Sequence, residues 1–456
     1  MDTETVLVLT VLVLCYAVVS GLVQRWYLAP ALIFVVLGVL LGPSCLGLLE
    51  GTGTGTVGQG TDTKGFTVLA QLALTVILFN QAALLDLRTV LRRGHLPLRL
   101  LGIGIPVTIG LGTLTAVVVL PVLPFWEAVC LAVIVAPTEV ALIDALLADR
   151  RIPERVRHGL SVESGFYDGF ALAALLAALA LASEHTDPAK GHWAWFVFRT
   201  EFVSLVVGVL IGMLGGAVIS KSTAQGWMSG TWAQLATLAL ALVCFVVGER
   251  LHGSGFVTAF AGGLAFAMVS RRGSSGPPVP PVPPVPPGTP GTPAPPEAPT
   301  TTTTTQTATT QVSDAAGQLL EFVVFALFGA VAVVPAWRDA GWRVLLFAVL
   351  ALIVVRVASV AVALAGSGLP ARSVLFMGWF GPRGIGTLVL GLIVIEKGDI
   401  QHGAVITQAV VVSVTVSLVL HSLTVAPGIR LCRQRDGSPV DPQAGNPGKL
   451  EAENEC

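Results

Sequence analysis

The chain has 456 residues, 54% of them hydrophobic and only 12% charged, with mean hydropathy +0.80 and a formal net charge of −1. Soluble domains carry about twice that charge density, so the composition points away from water-soluble classes, and the near-zero net charge offers no basic footprint for nucleic acid. The six cysteines show no CxxC or Cys/His spacing, which leaves neither a disulfide framework nor a zinc site indicated.

A membrane-spanning helix needs about 20 mostly apolar residues. The chain opens Met1-Asp2-Thr3-Glu4 and then runs apolar from Val6 to Val23. That acidic flank lacks the basic n-region of a cleavable signal, so the segment reads as a retained first span. Thirteen spans are predicted in all: 5–23, 28–48, 66–85, 98–122, 125–147, 159–183, 196–219, 231–250, 254–272, 314–335, 341–365, 373–397 and 402–430. Residues 273–313, between spans nine and ten, hold Pro-Pro-Val repeats and a Thr run. Pro-rich chain adopts extended polyproline II and packs no core, so this stretch reads as a disordered cytoplasmic linker. Residues 431–456 form a short polar tail. Arginine clusters such as Arg88, Arg92, Arg93 and Arg99, or Arg150, Arg151, Arg155 and Arg157, fall on one side. The positive-inside rule then places the N-terminus outside and the C-terminus in the cytoplasm.

Six charges fall well inside predicted spans: Glu139 and Asp144 in the fifth, Glu163 and Asp168 in the sixth, Arg356 in the eleventh and Arg383 in the twelfth. A charge near the bilayer centre costs roughly 2.5–3.5 kcal/mol on insertion scales, so such residues face cavities and carry function. Glu127, Glu201, Glu249, Glu321 and Glu396 sit nearer span ends and are expected to reach the interface. In the sixth span Ser164 and Asp168 stand at i and i+4 on one helix face, whereas Glu163 points about 140° away from Asp168.

The fifth span contains Ala136-Pro137-Thr138-Glu139, and the twelfth contains Phe380-Gly381-Pro382-Arg383-Gly384. Proline removes a backbone donor and glycine weakens helix, so both spans are predicted to unwind within the membrane, where freed carbonyls can ligate cations. Interrupted spans at comparable positions of two halves are the pattern of inverted-repeat transporters. Arg383 stays charged and one carboxylate neutralises it. The remaining carboxylate must hold a proton or a metal cation in low dielectric, which is the minimal chemistry of exchange. No GxxxxGK[ST] signature supports ATP-driven pumping. A Tyr167-Asp168 pair also occurs in intramembrane aspartyl proteases, but their Gly-x-Gly-Asp partner motif is absent.

Several segments together resemble bacterial NhaP-type sodium/proton antiporters, of the monovalent cation–proton antiporter family that includes the animal sodium/proton exchangers. They are "LGVLLGPSCLGLL" (37–49), "ILFNQAALLDLRTVLRRG" (77–94), "RLLGIGIPVTIGLG" (99–112), "APTEVALIDALLADRRIPERVRHGLSVESGFYDGFAL" (136–172), "HGSGFVTAFAGGLAF" (252–266) and "GWFGPRGIGTLVL" (378–390). The resemblance covers about 5–430 apart from the linker. It implies an all-α polytopic membrane protein of about 13 transmembrane helices, built as inverted repeats with two broken helices crossing near the midplane. Helices in 1–97, 184–272 and 314–340 would form a dimer-interface domain, and those in 98–183 and 341–430 a mobile core domain.

The resemblance further implies a homodimer in the bacterial plasma membrane that exchanges Na⁺, or K⁺ or Li⁺, for H⁺, with no cofactor beyond those transported ions. Asp168 matches the family's ion-binding aspartate, Ser164 its neighbouring ligand, and Thr138 a ligand at the fifth-span break beside Glu139. Glu163 and Arg383 match a structural ion pair. Arg356 is expected to pair within the core domain, and Asp144 either pairs with it or lines the inner mouth. The chain departs from the family by Tyr167 in place of Asn and Glu139 in place of Asp. Electrogenic relatives carry a second aspartate at the Tyr167 position, so the neutral tyrosine implies electroneutral exchange. The same departures would suit a scaffold or sensor that keeps the fold without transport.

Overall fold

The computed structural model describes residues 3–25, 28–49, 63–85, 95–139, 152–186, 193–273, 301–397 and 400–432. Every regular element among them is helical: α1 (Thr3–Arg25), α2 (Pro30–Leu41), α3 (Thr63–Leu84), α4 (His95–Val119), α5 (Phe125–Val135), α6 (Glu154–Thr186), α7 (Trp193–Ala224), α8 (Gly230–Arg250), α9 (Gly255–Gly273), α10 (301–339), α11 (Trp342–Ala363), α12 (Ala371–Trp379), α13 (Ile385–Lys397) and α14 (Gly403–Cys432). Nine of the helices among the described residues are long and apolar enough to cross a bilayer, and four shorter apolar helices accompany them. Each of the thirteen predicted spans coincides with one of these. A chain that must satisfy its backbone without water has this architecture available to it, because each helix closes its own hydrogen bonds.

The helices pack as two groups. One joins α2, α3, α7, α8, α9 and α10, and the other joins α4, α5, α6, α11, α12, α13 and α14. Within the first group backbones approach at small residues. Gly208 and Gly212 of α7 lie against the main chain of Thr258 and Gly262 in α9, and Gly38 of α2 lies against Ala326 of α10. Such contacts replace the hydrophobic drive that lipid removes. Phe34 stacks on Phe322 with ring centroids 4.8 Å apart, and Tyr16 closes the same cluster. In the second group α4 and α11 each contain a π-helical turn, at Leu100–Gly104 and Leu350–Val355. The first abuts Pro106, whose ring cannot fit the regular ladder, and the second ends at Arg356.

Some boundaries differ from the prediction. α2 stops at Leu41 because Gly42-Pro43 follows, and a residue before proline is driven out of the helical region. α10 begins at Thr301, inside the stretch read as linker. No proline or glycine lies between Pro299 and Gly317, and threonine's lower helix propensity alone does not stop a helix that continues into an apolar run. Asp144 and the far half of the fifth span lie outside the described residues.

Candidate functional site

Helix α5 ends at Val135, and residues 136–139 run non-helical through the protein interior with every one of them buried. Helix α12 ends at Trp379, and α13 resumes at Ile385, leaving 380–384 unwound and equally buried. Pro137 and the Gly381-Pro382-Arg383-Gly384 run thus break their helices where the sequence places them. The two unwound strands touch: the Glu139 amide donates to the Pro382 carbonyl at 2.9 Å. A side chain at Gly384 would collide with the Glu139 carboxylate, and one at Gly381 would meet the Arg356 guanidinium and the Thr138 methyl. Glycine at both positions is therefore required by close approach.

Three described helix ends, those of α5, α12 and α13, converge here, and charges complement the dipoles of α12 and α13. The Glu139 carboxylate lies at the N-terminal end of α13, where partial positive charge accumulates. At the opposite end, Arg356 Nη2 approaches the Met377 carbonyl of α12 at 3.4 Å, and Arg383 Nη1 donates to the Gly381 carbonyl at 2.6 Å. Cations beside a helix C-terminus are favoured for the same reason.

Helix α6 supplies the third wall. Ser164 Oγ donates to the Thr138 carbonyl at 2.5 Å, joining α6 to the unwound strand of the fifth span. Asp168 follows one turn later on the same helical face, although its side chain lies outside the described residues. Tyr167 is fully buried, and its hydroxyl has no hydrogen-bond partner among the described residues.

The ion pair is rearranged relative to expectation. Glu163 engages Arg356, not Arg383, through Arg356 Nη1 to Oε1 at 2.5 Å and Nη2 to Oε2 at 2.9 Å. The reason is geometric. The π turn ending at Arg356 delivers its guanidinium to Glu163 in a two-pronged arrangement that satisfies both carboxylate oxygens. The Arg383 side chain instead curls back onto its own unwound strand, and no carboxylate pairs with it among the described residues. Two glutamates expected at the interface are also buried. Glu127 accepts from His402 Nδ1 at 2.9 Å and from the Gln401 amide at 3.0 Å, and Glu321 is only 3% exposed.

Sequence reasoning missed Ser417 and His421 of α14. Ser417 Oγ accepts from the Arg383 amide at 2.8 Å, and His421 Nε2 donates to the Trp379 carbonyl at 2.9 Å. A stripe of Ser413, Ser417 and His421 at four-residue spacing in a mostly apolar span is the available signal.

A cavity of ≈ 310 Å³ opens between α3, α6 and α10, lined by Asn80, Gln81, Ser161, Gly165, Asp314 and Glu321 among others. No group of three or more His, Cys, Asp or Glu residues is placed to hold a metal among the described residues. The groups gathered at the crossing are backbone carbonyls, the Ser164 hydroxyl and carboxylates, the oxygen donors that hard cations prefer.

A family model described as "Sodium/hydrogen exchanger, transmembrane" matches residues 9–276 and 296–430. A probable Na⁺/H⁺ antiporter of Schizosaccharomyces pombe is 25% identical over 277 residues, covering 56% of this chain and 35% of the relative. The chain thus matches about a third of that relative's length. Among solved structures, the sodium proton antiporter MjNhaP1 from Methanocaldococcus jannaschii at pH 8 superposes with a TM-score of 0.72 at 17% identity, over 94% of this chain and 99% of that one. A second structure of the same antiporter, from an electron-microscopy map, gives 0.71 at 16% identity over 94% and 98%. At such identities the likeness establishes the fold, an NhaP-type arrangement of helices. The family match over most of the sequence settles the rest: the chain belongs to the sodium/hydrogen exchanger family.

Proposed function

We propose that the protein is a secondary active antiporter that exchanges Na⁺, or another monovalent cation such as K⁺ or Li⁺, for H⁺. The observation that carries this reading is the joining of α6 to the unwound strand of the fifth span by Ser164 Oγ and the Thr138 carbonyl, one turn from Asp168. Around that junction Glu163 is satisfied by Arg356, and the strand that carries Arg383 crosses the one that carries Glu139. Asp168 brings an acid to this region beyond the Glu163–Arg356 pair, and a carboxylate in low dielectric takes a counter-ion. A proton and a small cation are the two candidates that a buried acid accepts, and their mutual exclusion on one group couples their fluxes.

In this reading Thr138, Ser164 and Asp168 bind the cation, and the polar cavity between α3, α6 and α10 is the approach from one side. The division of the helices into two packed groups supports a mobile core of α4–α6 and α11–α14 working against a static remainder, in a homodimer of the plasma membrane with the C-terminus in the cytoplasm. Neutral Tyr167 beside Asp168 favours one cation for one proton. The test is reconstitution into vesicles containing a pH-sensitive dye. Imposed Na⁺, K⁺ or Li⁺ gradients should move protons, without dependence on membrane voltage, and Asp168→Asn should abolish the signal. Equal silence of wild type and Asp168→Asn for every cation would instead mark a relative that keeps the fold without exchange.

A further inference from the structure

In an unbroken helix the amide of residue 383 would donate to the carbonyl of residue 379, four positions earlier. The unwinding of 380–384 removes that bond. Its two ends are not abandoned: both are taken up by one neighbouring helix. The Arg383 amide donates to Ser417 Oγ at 2.8 Å, and His421 Nε2 donates to the Trp379 carbonyl at 2.9 Å. Ser417 and His421 are themselves four residues apart on α14, and Ser417 Oγ lies 3.1 Å from His421 Nδ1. With the Nε2 proton directed to Trp379, Nδ1 is left to accept from the Ser417 hydroxyl, so a single chain runs from Arg383 N–H through Ser417 and His421 to Trp379 C=O. The same Nδ1 lies 2.8 Å from the Ser417 carbonyl, a contact that becomes a hydrogen bond only when Nδ1 also carries a proton and the ring is a cation. Both side chains are buried, with His421 3% exposed. The Trp379 indole donates to Thr424 Oγ1 at 3.0 Å, fixing the same helix end from a second direction.

We infer that Ser417 and His421 form a positioning clamp, a side-chain splice of the broken 379–383 hydrogen bond that holds the twelfth-span break open at a fixed width. Through the Arg383 amide it sets where the Gly381 and Pro382 carbonyls stand relative to Thr138 and Glu139. Neither residue need touch the transported ion. As a role in ion binding, this rests on the exchange reading above; as a structural coupling it stands independently of it.

Four variants test it in reconstituted vesicles, with wild type and Asp168→Asn in parallel: Ser417→Ala, His421→Phe, His421→Gln and the double Ser417→Ala/His421→Phe. Glutamine keeps one donor and one acceptor on a flexible stem, whereas phenylalanine keeps the bulk and loses both. His421→Phe and Ser417→Ala should each lower Na⁺-driven exchange efficiency about tenfold, the scale of one or two lost hydrogen bonds, chiefly by raising the apparent cation KM. His421→Gln should stay within about threefold of wild type, and the double variant should be no worse than His421→Phe, because both break one bridge. The clamp is overturned if His421→Phe behaves as wild type, if glutamine is as poor as phenylalanine, or if the two losses add. Wild-type silence would sink the exchange reading alone. In that case the thermal midpoints of the same variants in detergent decide the clamp, non-additive losses supporting it and additive ones rejecting it. Should His421→Phe not accumulate, Ser417→Ala against His421→Gln carries the same comparison.

Discussion

Glu163 and Arg356 lock α6 to α11 through two parallel hydrogen bonds, with both side chains 1% exposed. A buried pair of this kind contributes little relative to an apolar replacement of equal volume, yet removing one partner strands a charge. Glu163→Gln and Arg356→Met are each expected to cost about 3–5 kcal/mol. The double replacement should lose less than the sum of the two. Thermal unfolding in detergent measures all three, and additive losses would show that the pair is not coupled.

Ser164→Ala removes the hydroxyl that joins α6 to the Thr138 carbonyl. The fold should tolerate it, since one hydrogen bond contributes about 1 kcal/mol. The apparent cation KM should rise several-fold while maximal rate changes little. An unaltered KM would place the cation elsewhere.

Gly384→Ala brings a methyl group onto the Glu139 carboxylate, and Gly381→Ala brings one between Arg356 and Thr138. The Arg356 guanidinium is held by its ion pair with Glu163, and the strand bearing Glu139 is tied to its neighbour by the Glu139 amide and Pro382 carbonyl. Both variants should insert into membranes and lose most exchange, on the order of tenfold or more. Wild-type rates in Gly384→Ala would mean that the crossing is looser than its packing.

The pH dependence follows from competition at Asp168. The ionised carboxylate binds the cation and the protonated one does not, so acidification must weaken apparent cation affinity. Below the pKa of the group, each unit of pH should raise the cation KM by about tenfold, the limit for one proton competing with one cation. Above it, KM should level off. Measuring KM at four or five pH values on both sides of the membrane tests this, and a flat profile would rule out a shared site.

Much of this was legible in the sequence, for identifiable reasons. Runs of about twenty apolar residues are length-limited by the bilayer, which is why each predicted span coincides with an apolar helix, nine of them long enough to cross among the described residues. Pro137 and the Gly381-Pro382 step break helices through local stereochemistry, so the unwound positions were readable too. Partner choice was not. Whether Glu163 meets Arg356 or Arg383 depends on how α11 is rotated by its π turn and on Arg383 folding back toward Gly381, and neither leaves a mark in residue spacing. Ser417 and His421 went unnoticed because their role exists only opposite a break that lies in another helix. The Thr run reads as linker by its neighbourhood of prolines, although the last proline, Pro299, precedes it.

The hydrogen bond between the Glu139 amide and the Pro382 carbonyl also has a bearing on biosynthesis. A ribosome releases the first of these groups long before the second, so the bare peptide units of 136–139 must wait inside the insertion machinery or a wet cleft until 380–384 arrives. Half-made chains ending ahead of Phe380 would display unsatisfied backbone to quality-control proteases. Pulse–chase lifetimes of a truncation series should lengthen sharply once the twelfth span is included, and a gradual trend across the series would show that the two strands do not depend on each other during assembly.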